Sequence, residues 1–104
     1  MLSRRYELTS EQLPTKEGLK AAGAPFSVER DQYERSFWQN TKKVASAFQS
    51  KFLQGTGLEL LVLEASYCFF VTGDDEKVRA LPEQANGCTA VSTTVDYGMH
   101  DNRY

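Results

Sequence analysis

A stripe of apolar residues between positions 27 and 52 constrains the fold of this chain more than any other feature of its sequence. Successive members are three or four residues apart, so they share one face of a helix with 3.6 residues per turn. The spacing therefore predicts one continuous amphipathic helix over residues 27–52. The stripe consists of Tyr33, Phe37, Thr41, Val44, Phe48 and Phe52, and Trp38 and Ala45 widen it on one side.

The two ends of this predicted helix carry the usual start and stop signals. Ser27 is a natural N-cap, and Glu29 and Asp31 place negative charge in the first turn, where the helix dipole favours it. Gly55 supplies a residue that accommodates the left-handed conformation at a helix end. At about 1.5 Å per residue the helix would be roughly 40 Å long, so it either projects from the domain or bends near Asn40.

After Gly57 the period of the sequence changes to that of β-structure. Residues 58–64 and 67–72 are short apolar runs with aromatic and β-branched side chains, and we interpret them as two central strands. The connection between these runs lacks the Gly or Asn that a tight hairpin favours. One bent strand, or a helix followed by a strand, are therefore the alternatives.

The other segments give weaker signals. Residues 1–8 alternate enough for an edge strand, or form a frayed terminus, and residues 16–22 suit a short helix. Residues 74–81 fit either a helix or a strand. Residues 88–97 are rich in Thr and Val and form the clearest strand, and residues 98–104 are interpreted as a frayed polar tail.

Helices followed by strands predict an α+β fold in a single domain over residues 1–104. A short N-terminal helix and one long amphipathic helix would pack on an antiparallel sheet of three to four strands. A chain of 104 residues has the size of one hydrophobic core. The predicted core places Phe37, Val44, Phe48 and Phe52 against Leu61, Leu63, Phe69 and Val71.

The sequence offers weak material for catalysis or metal binding. A cysteine triad could in principle be formed by Cys68, His100 and Asp96 or Asp101. However, Cys68 lies in an apolar run, which raises the pKa of a thiol, and His100 lies in the polar tail, which would not hold a base in place. Two cysteines and one histidine are too few ligands for zinc. We predict no catalytic residue, no metal site and no cofactor, and we expect Cys68 and Cys88 to be reduced thiols.

Charge is distributed unevenly along the chain. Residues 27–54 contain five basic and three acidic residues, whereas residues 55–104 contain three basic and eight acidic residues. The formal net charge of −2 argues against nucleic acid as a partner, because phosphate binding needs dense positive charge. No apolar run is long enough to span a bilayer, so we expect no membrane association.

These features predict a small, soluble, cytoplasmic protein, since the sequence begins without a secretory signal. We expect a non-catalytic protein-binding module, such as an inhibitor or immunity-type protein, which binds a basic protein surface with an acidic surface and an aromatic helix edge. The alternative is a homodimer that binds a small ligand, or is an enzyme, with a pocket between helix and sheet. The predicted partner-binding residues are Tyr33, Trp38, Glu59, Glu64, Asp74, Asp75 and Glu76.

Overall fold

The computed structural model of the chain describes residues 1–13 and 26–95, and only the backbone over residues 26–31. It confirms the α+β fold: helix α1 packs on one face of a five-stranded antiparallel sheet with strand order β2-β3-β1-β5-β4. The elements are β1 (Leu2–Leu8), a 3-10 turn (Ser10–Gln12), α1 (Phe26–Phe48), a π-helical turn (Gln49–Leu53), β2 (Glu59–Leu63), a 3-10 turn (Glu64–Ser66), β3 (Cys68–Gly73), α2 (Asp75–Arg79), β4 (Gln84–Ala85) and β5 (Cys88–Val95). The predicted helix at 16–22 and the tail at 98–104 lie outside the described residues.

The long helix forms as one rod, as its periodicity predicts. Helix α1 passes Asn40 without interruption and continues into the π-helical turn, and Gly55 follows with a φ of +76°. Its buried face carries the predicted stripe: Phe48 lies with its ring centroid 4.7 Å from Tyr6 and 5.4 Å from Phe69. Burial of each such ring contributes about 1.5–3 kcal/mol, so this contact supplies much of the force that holds helix to sheet.

Strand β1 lies at the centre of the sheet, which corrects the expectation of an edge strand or a frayed terminus. It pairs antiparallel with β3 on one side and with β5 on the other. Its side chains alternate strictly between buried and half-buried positions. The alternation of apolar residues in this segment is weak because Arg4 and Tyr6, which carry polar groups, occupy core-facing positions.

The side chains of Arg4 and Tyr6 explain how β1 tolerates polar groups in the core. The Arg4 guanidinium donates to the carbonyl of Leu81 at 3.0 Å and to the hydroxyl of Thr93 at 3.0 Å. The Tyr6 hydroxyl donates to the carbonyl of Pro82 at 2.7 Å. Buried polar groups are stable when they are hydrogen-bonded, so β1 also fixes the loop that follows α2.

Strands β2 and β3 form a hairpin, but only β3 is an inner strand, and β2 lies at the edge of the sheet. The missing turn glycine is replaced by Tyr67, which adopts the left-handed conformation with a φ of 47°. A non-glycine residue in this region is strained, and the ring of Tyr67 stacks on Phe37 with centroids 4.3 Å apart. Packing of the ring thus offsets the strain of the turn.

The register of β2 corrects two of the eight predicted core residues, Leu61 and Leu63. Leu60 and Val62 lie opposite Val71 and Phe69, which are buried under α1, and they pack against the core. Because successive side chains of a strand point to opposite faces, Leu61 and Leu63 point away from the helix. Leu61 is 62% exposed, so it is not a core residue.

Residues 74–81 contain a helix, which decides between the two alternatives. The Asp74 side chain accepts a hydrogen bond from the backbone N–H of Lys77 and caps α2, and Val78 is fully buried against the sheet. A fifth strand follows, one more than expected, because β4 is only two residues long and has no detectable period. The Asn86-Gly87 turn joins it to β5, with Gly87 at a φ of +86°.

Strand β5 is described from Cys88 to Val95, the rest of the predicted segment 88–97 lies outside the described residues, and the strand is irregular. The pairing with β1 skips Val91, which forms a bulge between Ala90 and Ser92. Beyond the bulge every residue of β5 is exposed. No helix within residues 1–13 and 26–95 is long and apolar enough to cross a membrane.

Candidate protein-binding surfaces

Four of the predicted acidic residues meet at one end of the sheet. Glu59 begins β2 opposite Thr72 of β3, and Asp74 follows directly after β3. The antiparallel hairpin therefore brings Glu59 close to the start of α2, where Asp75 and Glu76 lie. We call these four exposed residues the acidic end of the sheet.

The acidic end is only partly neutralised by the cations around it. The N-terminal ammonium of Met1 lies 3.4 Å from the Asp75 carboxylate. The Lys77 ammonium donates to the carbonyl of Thr56 at 2.7 Å, although α2 places it beside the acids. Within the described residues, the carboxylates of Glu59 and Glu76 form no ion pair. This end thus keeps carboxylates free for a cationic partner.

Glu64 lies at the opposite end of β2, so the five predicted acids do not form one contiguous surface. It follows Leu63 in the turn that joins β2 to β3, and it is exposed. At about 3.4 Å per residue, five residues of extended chain separate Glu59 and Glu64 by roughly 17 Å. The two carboxylates flank β2, one at each end.

The predicted aromatic residues of the helix lie at the same end as Glu64. Phe37 stacks on Tyr67, and Tyr33 packs edge-on against Phe37 with centroids 6.2 Å apart. Trp38 is half-buried, and the Lys42 ammonium lies 5.3 Å from its ring centroid. We call Tyr33, Phe37, Trp38 and Tyr67 the aromatic corner. Tyr67 was missed by sequence reasoning because its place in the corner depends on the hairpin turn.

Between these two ends, the outer face of the sheet exposes apolar side chains that sequence reasoning assigned to the core. Leu61 lies opposite Phe70 of β3, and both point away from α1. Leu63 and Phe70 are half-buried, whereas Leu61 is exposed. On the next strand Arg5 and Glu7 neutralise each other at 2.8 Å. We call Glu59, Leu61, Leu63, Glu64 and Phe70 the β2 surface; it combines an apolar centre with a carboxylate at each end.

The two thiols cannot act together. Cys68 lies opposite Glu7, and Cys88 lies opposite Leu8, so they point to opposite faces of the sheet. Both are free and buried, and burial raises the pKa of Cys68 and raises that of Cys88 to about 11. A thiol with a raised pKa is a poor nucleophile at neutral pH. His100, Asp96 and Asp101 lie outside the described residues.

The described part of the chain contains no group of three or more His, Cys, Asp or Glu residues able to hold a metal ion. Comparisons with protein-family models, with curated proteins and with solved structures found no match. The acidic end, the aromatic corner and the β2 surface are the features of the described residues that suit a binding function.

Proposed function

We propose that this chain is a non-catalytic protein-binding module, of the inhibitor or immunity type, that binds a basic surface of another protein. The observation that carries the proposal is the β2 surface, in which exposed Leu61 lies between the carboxylates of Glu59 and Glu64. An apolar centre within a polar rim is the usual anatomy of a protein interface. The acidic end lies at the Glu59 end of this surface, and the aromatic corner lies at the Glu64 end of the sheet, mainly on the side that α1 covers.

Each part of the surface has a distinct physical role in this proposal. The carboxylates that form no ion pair with a described residue attract a basic partner from solution and raise its association rate. The apolar side chains at the centre of the β2 surface supply affinity for the partner when binding excludes water from them. Trp38 and Tyr33 belong to the residue types that dominate interface energetics, so the aromatic corner supplies an anchor for the partner.

The alternative of a ligand pocket between helix and sheet has less support. At the C-terminal end of α1, the rings of Phe48, Tyr6 and Phe69 are in mutual contact and fill the space between helix and sheet there. Sedimentation of the purified protein tests the homodimer on which that alternative depends. A strict monomer contradicts it, and a stable dimer with a bound small molecule favours it.

The proposed function is tested with a variant that neutralises the five predicted acids. Glu59, Glu64 and Glu76 are changed to Gln, and Asp74 and Asp75 to Asn; Asn also caps helices, so α2 keeps its N-cap. A partner is first captured from native extract on the wild-type protein and then purified. We expect the variant to associate with this partner about tenfold more slowly, since charges at an interface act mainly on the association rate.

A matched control neutralises two exposed acids elsewhere, Glu11→Gln and Glu83→Gln. The control should leave the association rate unchanged, and added salt should slow the wild-type association, because screening weakens exposed charges. Equal rates for the wild type and the five-acid variant contradict the proposed function.

A further inference from the structure

We infer that strand β2 accepts an extended segment of the partner as a sixth strand of the sheet, and that this segment carries basic residues near both of its ends. The inference rests on the proposed function and specifies how the partner is bound. Among the described strands, β2 lies at the edge of the sheet and pairs only with β3. An edge strand leaves alternate backbone N–H and C=O groups pointing outward, ready to pair with another chain.

Apart from the charge of Glu59 at its first residue, the edge formed by β2 lacks the devices that usually prevent such pairing. Proteins protect edge strands with lysine, proline, bulges or very short strands. Residues 58–66 contain no Lys, Arg or Pro, and the β2–β3 pairing is regular from Glu59 to Leu63. None of the backbone hydrogen bonds that described residues form outside helices and strands involves β2. As far as residues 1–13 and 26–95 show, the edge is therefore free to pair.

The opposite edge of the sheet, formed by β4 and the end of β5, is protected against pairing with another chain. Strand β4 is two residues long, and β5 beyond it is interrupted by the Val91 bulge. A bulge bends a strand and disrupts the ladder, so the exposed end of β5 is a poor template for strand addition. The two edges differ, and β2 is the one suited to a partner strand.

The side chains beside β2 define what an incoming strand would contact. Leu61 and Phe70 form an apolar strip on the outer face, next to the position of a sixth strand. Alternate side chains of the incoming segment would lie against Leu61, where cross-strand pairs of apolar residues stabilise a sheet. The apolar strip therefore favours a segment with β-branched or aromatic residues at its centre.

Charge decides which kind of chain fits this edge. Glu59 and Glu64 stand at the two ends of β2, and they match basic residues placed at the two ends of an incoming segment. A second copy of this chain fits less well. Two-fold antiparallel pairing about Leu61 would place Glu59 of one copy close to Glu64 of the other at both ends, and like charges destabilise such pairing. The occupant is therefore a foreign segment with basic ends.

The test uses three synthetic peptides of about nine residues as probes, a length that covers β2 at about 3.4 Å per residue. The first has alternating Val and Thr at its centre and two Lys at each end. The second has Glu in place of Lys, and the third keeps Lys but has Pro at its centre. We expect the first peptide to bind at least about tenfold more tightly than the second, because only its charges complement the edge. The third should not bind, because proline removes backbone donors.

Hydrogen exchange locates the bound peptide on the full chain. We expect the first peptide to slow exchange of the outward-pointing amides, which alternate along Glu59–Leu63, since strand addition uses these groups. The exposed end of β5 should exchange at an unchanged rate. Protection at β5, or no protection at β2, overturns the inference.

Two lysine substitutions at exposed edge positions form a matched pair of variants. Leu61→Lys places a charge on the β2 edge, and Val91→Lys does the same at the opposite edge, where Val91 is 48% exposed. We expect Leu61→Lys to weaken binding of the Lys-ended peptide about tenfold and Val91→Lys to leave it unchanged. Thermal unfolding of each variant shows that the fold is intact.

The outcomes separate this inference from the proposed function. If the purified partner associates more slowly with the five-acid variant but does not slow hydrogen exchange of the outward-pointing amides of β2, the proposed function stands and strand addition is wrong. If the partner binds all the variants equally, the proposed function itself is wrong. A dimer that Leu61→Lys dissociates and Val91→Lys does not would show that a second copy occupies the edge, and it overturns the inference.

Discussion

Because the thiol of Cys88 is buried, the free energy of unfolding of this protein should fall as pH rises through the alkaline range. Cys88 has no exposed surface, and it lies opposite Leu8 on the helix-covered face of the sheet. Burial raises its pKa from the ordinary value of 9.0 to about 11, because the thiolate loses its hydration. The folded state therefore favours the neutral thiol more strongly than the unfolded state does.

The sign and size of the effect follow from these two pKa values. The pKa of Cys88 is higher in the folded state than in the unfolded state. The contribution of Cys88 to the free energy of unfolding is therefore complete at pH values below its unfolded-state pKa. This contribution falls as pH rises above that pKa, and it is lost above the folded-state pKa. A shift of one unit corresponds to about 1.36 kcal/mol, so the full contribution is about 2.7 kcal/mol. By about pH 10 roughly half of it, ~1.4 kcal/mol, should be gone.

Urea unfolding of the wild type and of Cys88→Ala at about pH 8 and about pH 10 measures this contribution. The alanine variant is less stable at the lower pH, because it loses buried atoms, but it should lose about 1 kcal/mol less on going to the higher pH. The difference between the two proteins isolates Cys88 from Tyr6 and Cys68, whose pKa values burial also raises. Equal losses in the two proteins would refute the reasoning.

Four further substitutions test the packing around β1 and two glycines with positive φ, each by urea unfolding at neutral pH. Tyr6→Phe should cost about 1–3 kcal/mol, because it leaves the Pro82 carbonyl without its donor while keeping the stacked ring; a cost below about 0.5 kcal/mol contradicts this role. Phe48→Ala should cost about 3–5 kcal/mol by opening a cavity between helix and sheet, and a loss under about 1 kcal/mol would mean that the helix repacks. Gly87→Ala should destabilise the protein more than Gly55→Ala. Both glycines have positive φ, but of the two only Gly87 has a neighbour that an added Cβ would contact, the Gln12 side chain at 2.8 Å. Equal effects of the two substitutions would show that this contact relaxes freely.

Part of the candidate surface follows from the chain alone, and part does not. Asp74, Asp75 and Glu76 are neighbours in sequence, and an antiparallel hairpin brings Glu59 to the same end. The same hairpin sends Glu64 to the other end, next to the aromatic corner. A sequence assigns charge to a segment, but the pairing of strands decides which charges share a surface.

The sequence by itself determined the features that depend on local spacing. The stripe from Phe37 to Phe48 recurs with the helical period and forms α1, and Gly55, the predicted stop residue, follows the helix with a φ of +76°. Each of these depends on residues within about one or two helical turns, so local preference is enough to specify them. The sequence also left few alternatives to an α+β fold.

Only the tertiary structure decided the arrangement of the sheet. A run such as Leu60–Val62 is apolar at every position, so it has no period that tells which side faces the core. Pairing with β3 puts Leu60 and Val62 towards α1 and leaves Leu61 exposed, and a shift of one residue would reverse this. The central place of β1 likewise depends on partners more than 60 residues away in the chain. These contacts are non-local, and it is they that create the exposed edge on which the proposed binding depends.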